Sequence, residues 1–208
     1  MTQQEEITIF GIAGSIRKDS FNRMTLRNAG EMMPAGVHLD IFDDLAELPP
    51  YNQDLESMPD TVVVDLKARI RNSAGVLIVT PEYNYGVPGV LKNAIDQASR
   101  PYGDNAWDGK PAAIMGASIS MFGSARAQYQ LRQSMVFLNM HPLNQPEVMI
   151  PNAADQFDEQ GRLINETSRK LMKELLENLV DRAIEYERNT PEIPFPGFRP
   201  RGVAPRKQ

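Results

Sequence analysis

Residues 75–89 read GVLIVTPEYNYGVPG. The run 75–80 is apolar and rich in β-branched side chains, as expected of a central strand buried on both faces of a parallel sheet. It stops at Pro81. From Pro88 onward Leu91, Ala94, Ile95 and Ala98 recur at helical spacing, so a strand passes through a short loop into a helix. The same passage occurs near the start of the chain. There Ile7–Ala13 (ITIFGIA) runs into the loop GSIRKDSFN at 14–22, and residues 20–33 carry helical spacing.

Further along, Val37–Phe42 (VHLDIF) alternates as a half-buried strand. Val63, Leu66 and Ile70 mark a helix over 60–72, and residues 111–118 (PAAIMGAS) a buried strand. Ala127, Leu131, Met135 and Leu138 mark a helix over 124–138, and Val148–Ile150 a short strand between prolines. The clearest period lies over 167–187, with Leu171, Leu175, Leu179 and Ala183. Strands alternating with helices require crossover connections and therefore a parallel sheet covered on both faces. The expectation is a three-layer α/β/α, flavodoxin-like fold with a five-stranded parallel sheet in the order 2-1-3-4-5. Residues 1–188 would form it.

Residues 189–208 hold five Pro and two Gly, with Arg199, Arg201, Arg206 and Lys207 against Glu192. This reads as a basic, Pro-rich tail. Either it is a solvated extension, the simpler reading, or it straps a neighbouring subunit through Phe195 and Phe198. The chain as a whole has 208 residues and a formal charge of −5. That balance argues against a nucleic-acid binder, which would be basic over much of its surface. There is no cysteine, so disulfides, thiolate zinc sites and cysteine nucleophiles are ruled out. No apolar run approaches the ~20 residues a membrane helix needs, and the N-terminus lacks the pattern of a secretory signal. A soluble, cytoplasmic protein without membrane or nucleic-acid partners is expected.

In such a sheet a ligand lies beyond the carboxyl ends of the strands where the winding reverses, beside strands one and three. The loop after strand one offers backbone N–H groups at a helix start, the hydroxyls of Ser15 and Ser20, the Asn22 amide and the Arg17 guanidinium. That set suits a terminal phosphate. It is neither a Walker loop nor a three-glycine dinucleotide fingerprint. The loop after strand three, held in shape by two prolines and two glycines, presents tyrosine rings, an amide and a carboxylate. A flat heteroaromatic ligand needs such a wall.

Together, GSIRKDSFN and TPEYNYGVPGVLKNAID resemble the NAD(P)H-dependent FMN reductase family, including its quinone- and chromate-reducing members. The resemblance extends over about residues 7 to 187. It implies that Ser15, Arg17, Ser20, Phe21 and Asn22 hold the FMN phosphate. By the same resemblance Pro81, Glu82, Tyr83, Asn84 and Gly86 line the isoalloxazine. Ser118, opening the segment SISMFGS at 118–124, would lie near the ribityl chain or ring edge; Phe122 departs from the glycine-rich form common there. It implies NADPH or NADH as hydride donor, a small-molecule electron acceptor, ping-pong two-electron turnover carried by FMN without a catalytic side chain, and a homodimer or homotetramer. Arg126, Tyr129, Arg132 and Glu147 are expected either to meet across subunits or to be a solvated face.

The competing reading is a flavodoxin-type electron carrier without turnover of its own. Arg17 and Lys18 in the phosphate loop and the mild net charge count against it. A phosphoacceptor receiver domain would want an acidic pair where Gly14 and Ser15 stand. His38 and His141 do not have ligand spacing. Asp43, Asp44, Asp104 and Asp108 read as solvated loop carboxylates, Trp107 as a packing lid or interface residue. Met121 and Met140 are candidates to soften an acceptor pocket.

Overall fold

A computed structural model describes residues 7–189. The Pro-rich segment expected as a tail lies outside the described residues from 190 onward. Four strands and five helices fall where the sequence places them within a residue or two. β1 spans Ile7–Ala13, β2 Val37–Phe42, β3 Gly75–Val79 and β4 Pro111–Ala117. The helices are α1 Phe21–Glu31, α2 Thr61–Asn72, α3 Gly89–Ser99, α4 Ala125–Phe137 and α5 Glu166–Asn189. All pairings among these strands are parallel, in the order β2-β1-β3-β4.

The fifth position is where the structure departs from expectation. Two short strands share it: β5 (His141–Pro142) pairs with Pro111 and Ala112, and β6 (Val148–Ile150) pairs with Met115 to Ala117. The sheet therefore has six strands. The prolines at 142 and 146 have no N–H to offer a ladder, so pairing breaks between the two pieces. His141 lies in β5.

Alternate residues of the central strands feed two cores. Phe10, Ile12, Val76, Ile78 and Ile114 meet Leu66 and Ile70 of α2, Leu91 and Ile95 of α3, and Leu131 and Met135 of α4. Ile9, Leu77, Val79 and Met115 meet Leu26 of α1 and Met172, Leu175, Leu176 and Leu179 of α5. Three layers result, because each helix has a single apolar stripe and the sheet has two apolar faces. Trp107 is fully buried in the first core, its indole N–H donating to the Ile95 carbonyl at 3.1 Å. It is packing rather than interface. Met140 also belongs to this core, which removes it from any acceptor pocket.

Several carboxylates expected to be solvated are paired. Asp104 binds Lys67 (2.6 Å) and Arg71 of α2. Asp43 meets Arg23 at 2.9 Å, and Asp108 accepts from Asn139 at 2.7 Å. On strand β2, Asp40 accepts from the Arg69 guanidinium, which also donates to the Ile41 carbonyl at 2.7 Å. The Arg69 hydrogen bond outweighs the opposing effect of burial and holds the Asp40 carboxyl below its ordinary value. An acid with a depressed folded-state pKa stabilises the fold above its unfolded pKa and loses that contribution as pH falls through the folded one. Asp40→Asn is accordingly expected to lower the melting temperature at pH 7, with the gap to wild type closing below about pH 4. A gap that stays constant on acidification contradicts the pairing.

Candidate functional site

β1 and β3 are neighbours in register, Ala13 opposite Val79, and the Gly14 N–H donates to the Val79 carbonyl at 2.8 Å. The loops that follow them emerge side by side. Gly14 is needed for this closeness, since a Cβ there would lie 2.8 Å from Leu91 and 3.2 Å from the Pro81 ring.

In the first loop Ser15 and Ser20 are buried. Ser20 caps α1, its Oγ accepting from the N–H groups of Asn22 (3.2 Å) and Arg23 (3.5 Å). Ser15 Oγ accepts from the Arg17 N–H at 3.3 Å. Both hydroxyl protons remain available. Among the described residues, the N–H groups of Ile16, Lys18, Asp19 and Phe21 have no acceptor. Four unbonded donors at the positive end of a helix form an anion cradle. Arg17 is exposed beside it and makes no ion pair among the described residues. Its guanidinium lies 5.7 Å from the Phe21 ring, which stacks on Phe157.

Asn22 is occupied elsewhere. Its side chain is buried, with Oδ1 accepting from the Ala117 N–H and Nδ2 donating to the Ala117 carbonyl, both at 2.9 Å. The first turn of α1 is thereby fastened to the end of β4, one residue before Ser118. Only the Asn22 backbone, not its amide, adjoins the cradle.

In the second loop Pro81 is buried and Glu82 turns its carboxylate onto the start of α4. It accepts from the N–H groups of Arg126 (2.9 Å) and Ala127 (3.3 Å) and pairs with the Arg126 guanidinium. The residue preceding α4, Ser124, makes no side-chain cap, so Glu82 satisfies donors that a cap would otherwise take. This hydrogen bond to Glu82 also raises the Arg126 pKa above its usual value, keeping the group charged.

Beyond Glu82 the chain makes a two-residue hairpin. The N–H of Tyr83 donates to the Gly86 carbonyl (3.2 Å) and the N–H of Gly86 to that of Tyr83 (3.0 Å). Both central residues are left-handed, Asn84 at φ 49 and Tyr85 at φ 66. Two-residue hairpins favour this turn, with Asn common at its first central position and glycine usual at the second, where Tyr85 stands. For other side chains the strain is of order 1–3 kcal/mol each and clusters at functional sites. The N–H groups of Asn84 and Tyr85 have no acceptor among the described residues. Tyr83 and Tyr85 are largely exposed, and the Arg126 guanidinium lies 3.6 Å from the Tyr85 ring centre and 4.4 Å from that of Phe122.

The third loop begins at Ser118, whose Oγ accepts from the Ser120 N–H at 3.2 Å. Backbone bonds from Ser118 to Ile150 and from Asn152 to Ser120 anchor it to the chain after β6. Gly123 and Ser124 are both left-handed, which brings Ser124 across β4. At Gly116 a Cβ would fall 1.9 Å from Ser124 Oγ and 2.3 Å from the Thr80 carbonyl, so that position admits no side chain without displacing two loops.

The phosphate-type loop and the hairpin line a common cavity of about 350 Å³, bounded by Ser15, Ile16, Arg17, Tyr83, Pro88, Gly89 and Val90. Sequence reasoning found the two loops. It missed Arg126 and Gly116, whose roles arise only once α4 and β4 are packed beneath the hairpin. The groups expected either to meet across subunits or to form a solvated face have partners within the chain: Tyr129 with Glu147 (2.9 Å), Arg132 with the Leu143 carbonyl (2.8 Å), and Arg126 with Glu82.

A parallel sheet in this strand order, with helices on both faces, defines a protein of the flavodoxin-like class. Residues 7–155 match the sequence model of the NADPH-dependent FMN reductase family. An NAD(P)H-dependent FMN reductase of Pseudomonas aeruginosa is 46% identical over 176 residues, covering 84% of this chain and 94% of that one. A 2-hydroxy-1,4-benzoquinone reductase of a Burkholderia species is 40% identical over 166 residues, 80% of this chain and 90% of the other. Among solved structures, the flavoenzyme NAD(P)H:(acceptor) oxidoreductase FerB of Paracoccus denitrificans superposes with a TM-score of 0.80 at 34% identity, over 86% of this chain and 98% of that one. The chain belongs to the NADPH-dependent FMN reductase family. It is an FMN-dependent oxidoreductase using NAD(P)H, and the electron-carrier reading is not favoured. Among the described residues, no helix is long and apolar enough to cross a membrane.

Proposed function

We propose that this protein is an NAD(P)H-dependent quinone reductase whose cradle and hairpin hold the two ends of one FMN. The observation that carries the reading is the cavity shared by the two loops, the first of which holds unbonded N–H groups at Ile16, Lys18, Asp19 and Phe21 and the second at Asn84 and Tyr85. The donor set fits the group. Ser15 and Ser20 hydroxyls, the cradle N–H groups and Arg17 suit a phosphate dianion, with Phe21 and the Asn22 backbone shaping its seat. Pro81, Tyr83, Asn84 and Gly86 supply a rigid wall for the isoalloxazine, and Glu82 serves it by fixing the loop to α4. Ser118 would lie near the ribityl chain or ring edge.

FMN, when bound, supplies two-electron redox chemistry between a nicotinamide and an acceptor. The chain's own part is orientation and electrostatics. The free N–H groups of Asn84 and Tyr85 are preorganised to stabilise negative charge developing on the ring's polar edge. No side chain needs to act as acid or base. Quinones are the favoured acceptor class, because relatives bearing quinone reductase names match 70% or more of this chain. Donor and acceptor would occupy the same open face in turn. Initial rates are expected to give parallel double-reciprocal lines; intersecting lines contradict a shared face.

The loops after β1, β3 and β4 expose Ile16, Tyr83, Tyr85, Ile119, Met121 and Phe122, apolar side chains that support a homodimer or homotetramer covering them. Sedimentation at working concentration is expected to give at least a dimer, and a monomer contradicts it. Residues 1–188 are taken as the FMN-binding unit, with 189–208 appended. A cytoplasmic setting goes with the absence of cysteine.

A further inference from the structure

A two-residue hairpin asks for left-handed backbone at both central positions, which Asn84 takes readily and a bulky residue such as Tyr85 does not, so the Tyr83–Gly86 turn calls for a restraint beyond its own pair of cross-turn bonds. The missing restraint comes from α4. Gln130, one turn beyond Arg126, accepts from the Val87 N–H through Oε1 (3.1 Å) and donates from Nε2 to the Tyr85 carbonyl (3.3 Å). Its carboxamide thus pairs with backbone groups on both sides of Gly86, as an adjacent strand would. A Cβ at Gly86 would lie 3.1 Å from that Oε1, so the glycine leaves room for the clamp. Gln130 is exposed, and burial offers no other reason for its placement.

Arg126 and Gln130 act differently. A guanidinium over a tyrosine face tolerates sliding, whereas two directed bonds from one amide set the orientation of the peptide planes on either side of Gly86. The Tyr85 carbonyl belongs to the peptide that closes the turn, so holding it to α4 fixes the turn in which the Asn84 and Tyr85 N–H groups stand unbonded. We infer that Gln130 is a positioning residue, locking the hairpin in the geometry that presents these two N–H groups to the flavin. The inference rests on the proposed FMN seat.

The test uses the full chain with Gln130→Ala and Gln130→Met, the latter keeping side-chain bulk without hydrogen bonds. Both are expected to bind FMN about threefold to tenfold more weakly, with the bound-flavin visible spectrum shifted toward that of free FMN. Amide hydrogen exchange at Gly86 and Val87 in the apoprotein should quicken while the melting temperature stays at the wild-type value. Gln130→Glu, which keeps the acceptor for Val87 and loses the donor to Tyr85, should fall between. Wild-type affinity and an unshifted spectrum in both Gln130→Ala and Gln130→Met overturn the inference. Should FMN fail to slow exchange at 84–87 in the wild type, the FMN seat itself is wrong and the inference falls with it.

Discussion

Arg17→Ala is expected to weaken FMN binding by about 10-fold to 100-fold while leaving the melting temperature of the apoprotein unchanged. The range follows from the ~1.5–3 kcal/mol of a hydrogen bond to a charged group, at ~1.4 kcal/mol per factor of ten. Stability should not suffer, because Arg17 is exposed and makes no ion pair among the described residues; its contact with Phe21 is a long one at 5.7 Å. Wild-type affinity should fall as ionic strength rises and the variant's much less, so the gap between them narrows with salt. Fluorescence titration of apoprotein with FMN checks it, and wild-type affinity in the variant would remove Arg17 from the phosphate seat.

Asn22→Ala is expected to fail in another way. Its amide satisfies both backbone groups of Ala117 in a buried setting. Truncation leaves a buried N–H and a buried C=O unpaired, at about 1–3 kcal/mol each. A total of roughly 2–5 kcal/mol would lower the melting temperature by roughly 5–15 °C for a chain of this size. FMN binding should weaken as well, through loosening of the joint between α1 and the Ser118 loop. Thermal unfolding of the apoprotein separates the two variants: Arg17→Ala should melt with the wild type and Asn22→Ala well below it. An Asn22→Ala apoprotein as stable as wild type would contradict the joint.

This contrast marks what could be read from the chain alone. The alternation of ITIFGIA, GVLIVT and PAAIMGAS with helical spacing is a local signal, and each segment forms the element its period implies. The two ligand loops are legible for the same reason, since they follow strands one and three of a parallel sheet. Side-chain direction within those loops is not local. Asn22 sits in a loop rich in hydrogen-bonding residues, and only the arrival of β4 beside α1 diverts its amide to Ala117. Glu82 has the composition of a pocket residue, yet the uncapped start of α4 claims its carboxylate. Tyr85 gives no hint of a left-handed backbone, because Arg126 and Gln130, more than forty positions away, impose it. Gly116 resembles any small residue in a buried strand until Ser124 and the Thr80 carbonyl close on it. The sequence shows one fifth strand at 148–150, and the pairing of His141–Pro142 with β4 emerges only once the sheet is assembled.

The most direct test is a crystal structure of the protein grown with FMN. The phosphate is predicted to lie within hydrogen-bond reach of the N–H groups of Lys18, Asp19 and Phe21 and of the Arg17 guanidinium, with the isoalloxazine's polar edge against the N–H groups of Asn84 and Tyr85. FMN bound with its phosphate turned away from the Ser15–Asn22 loop, or seated outside this cavity, would contradict the account.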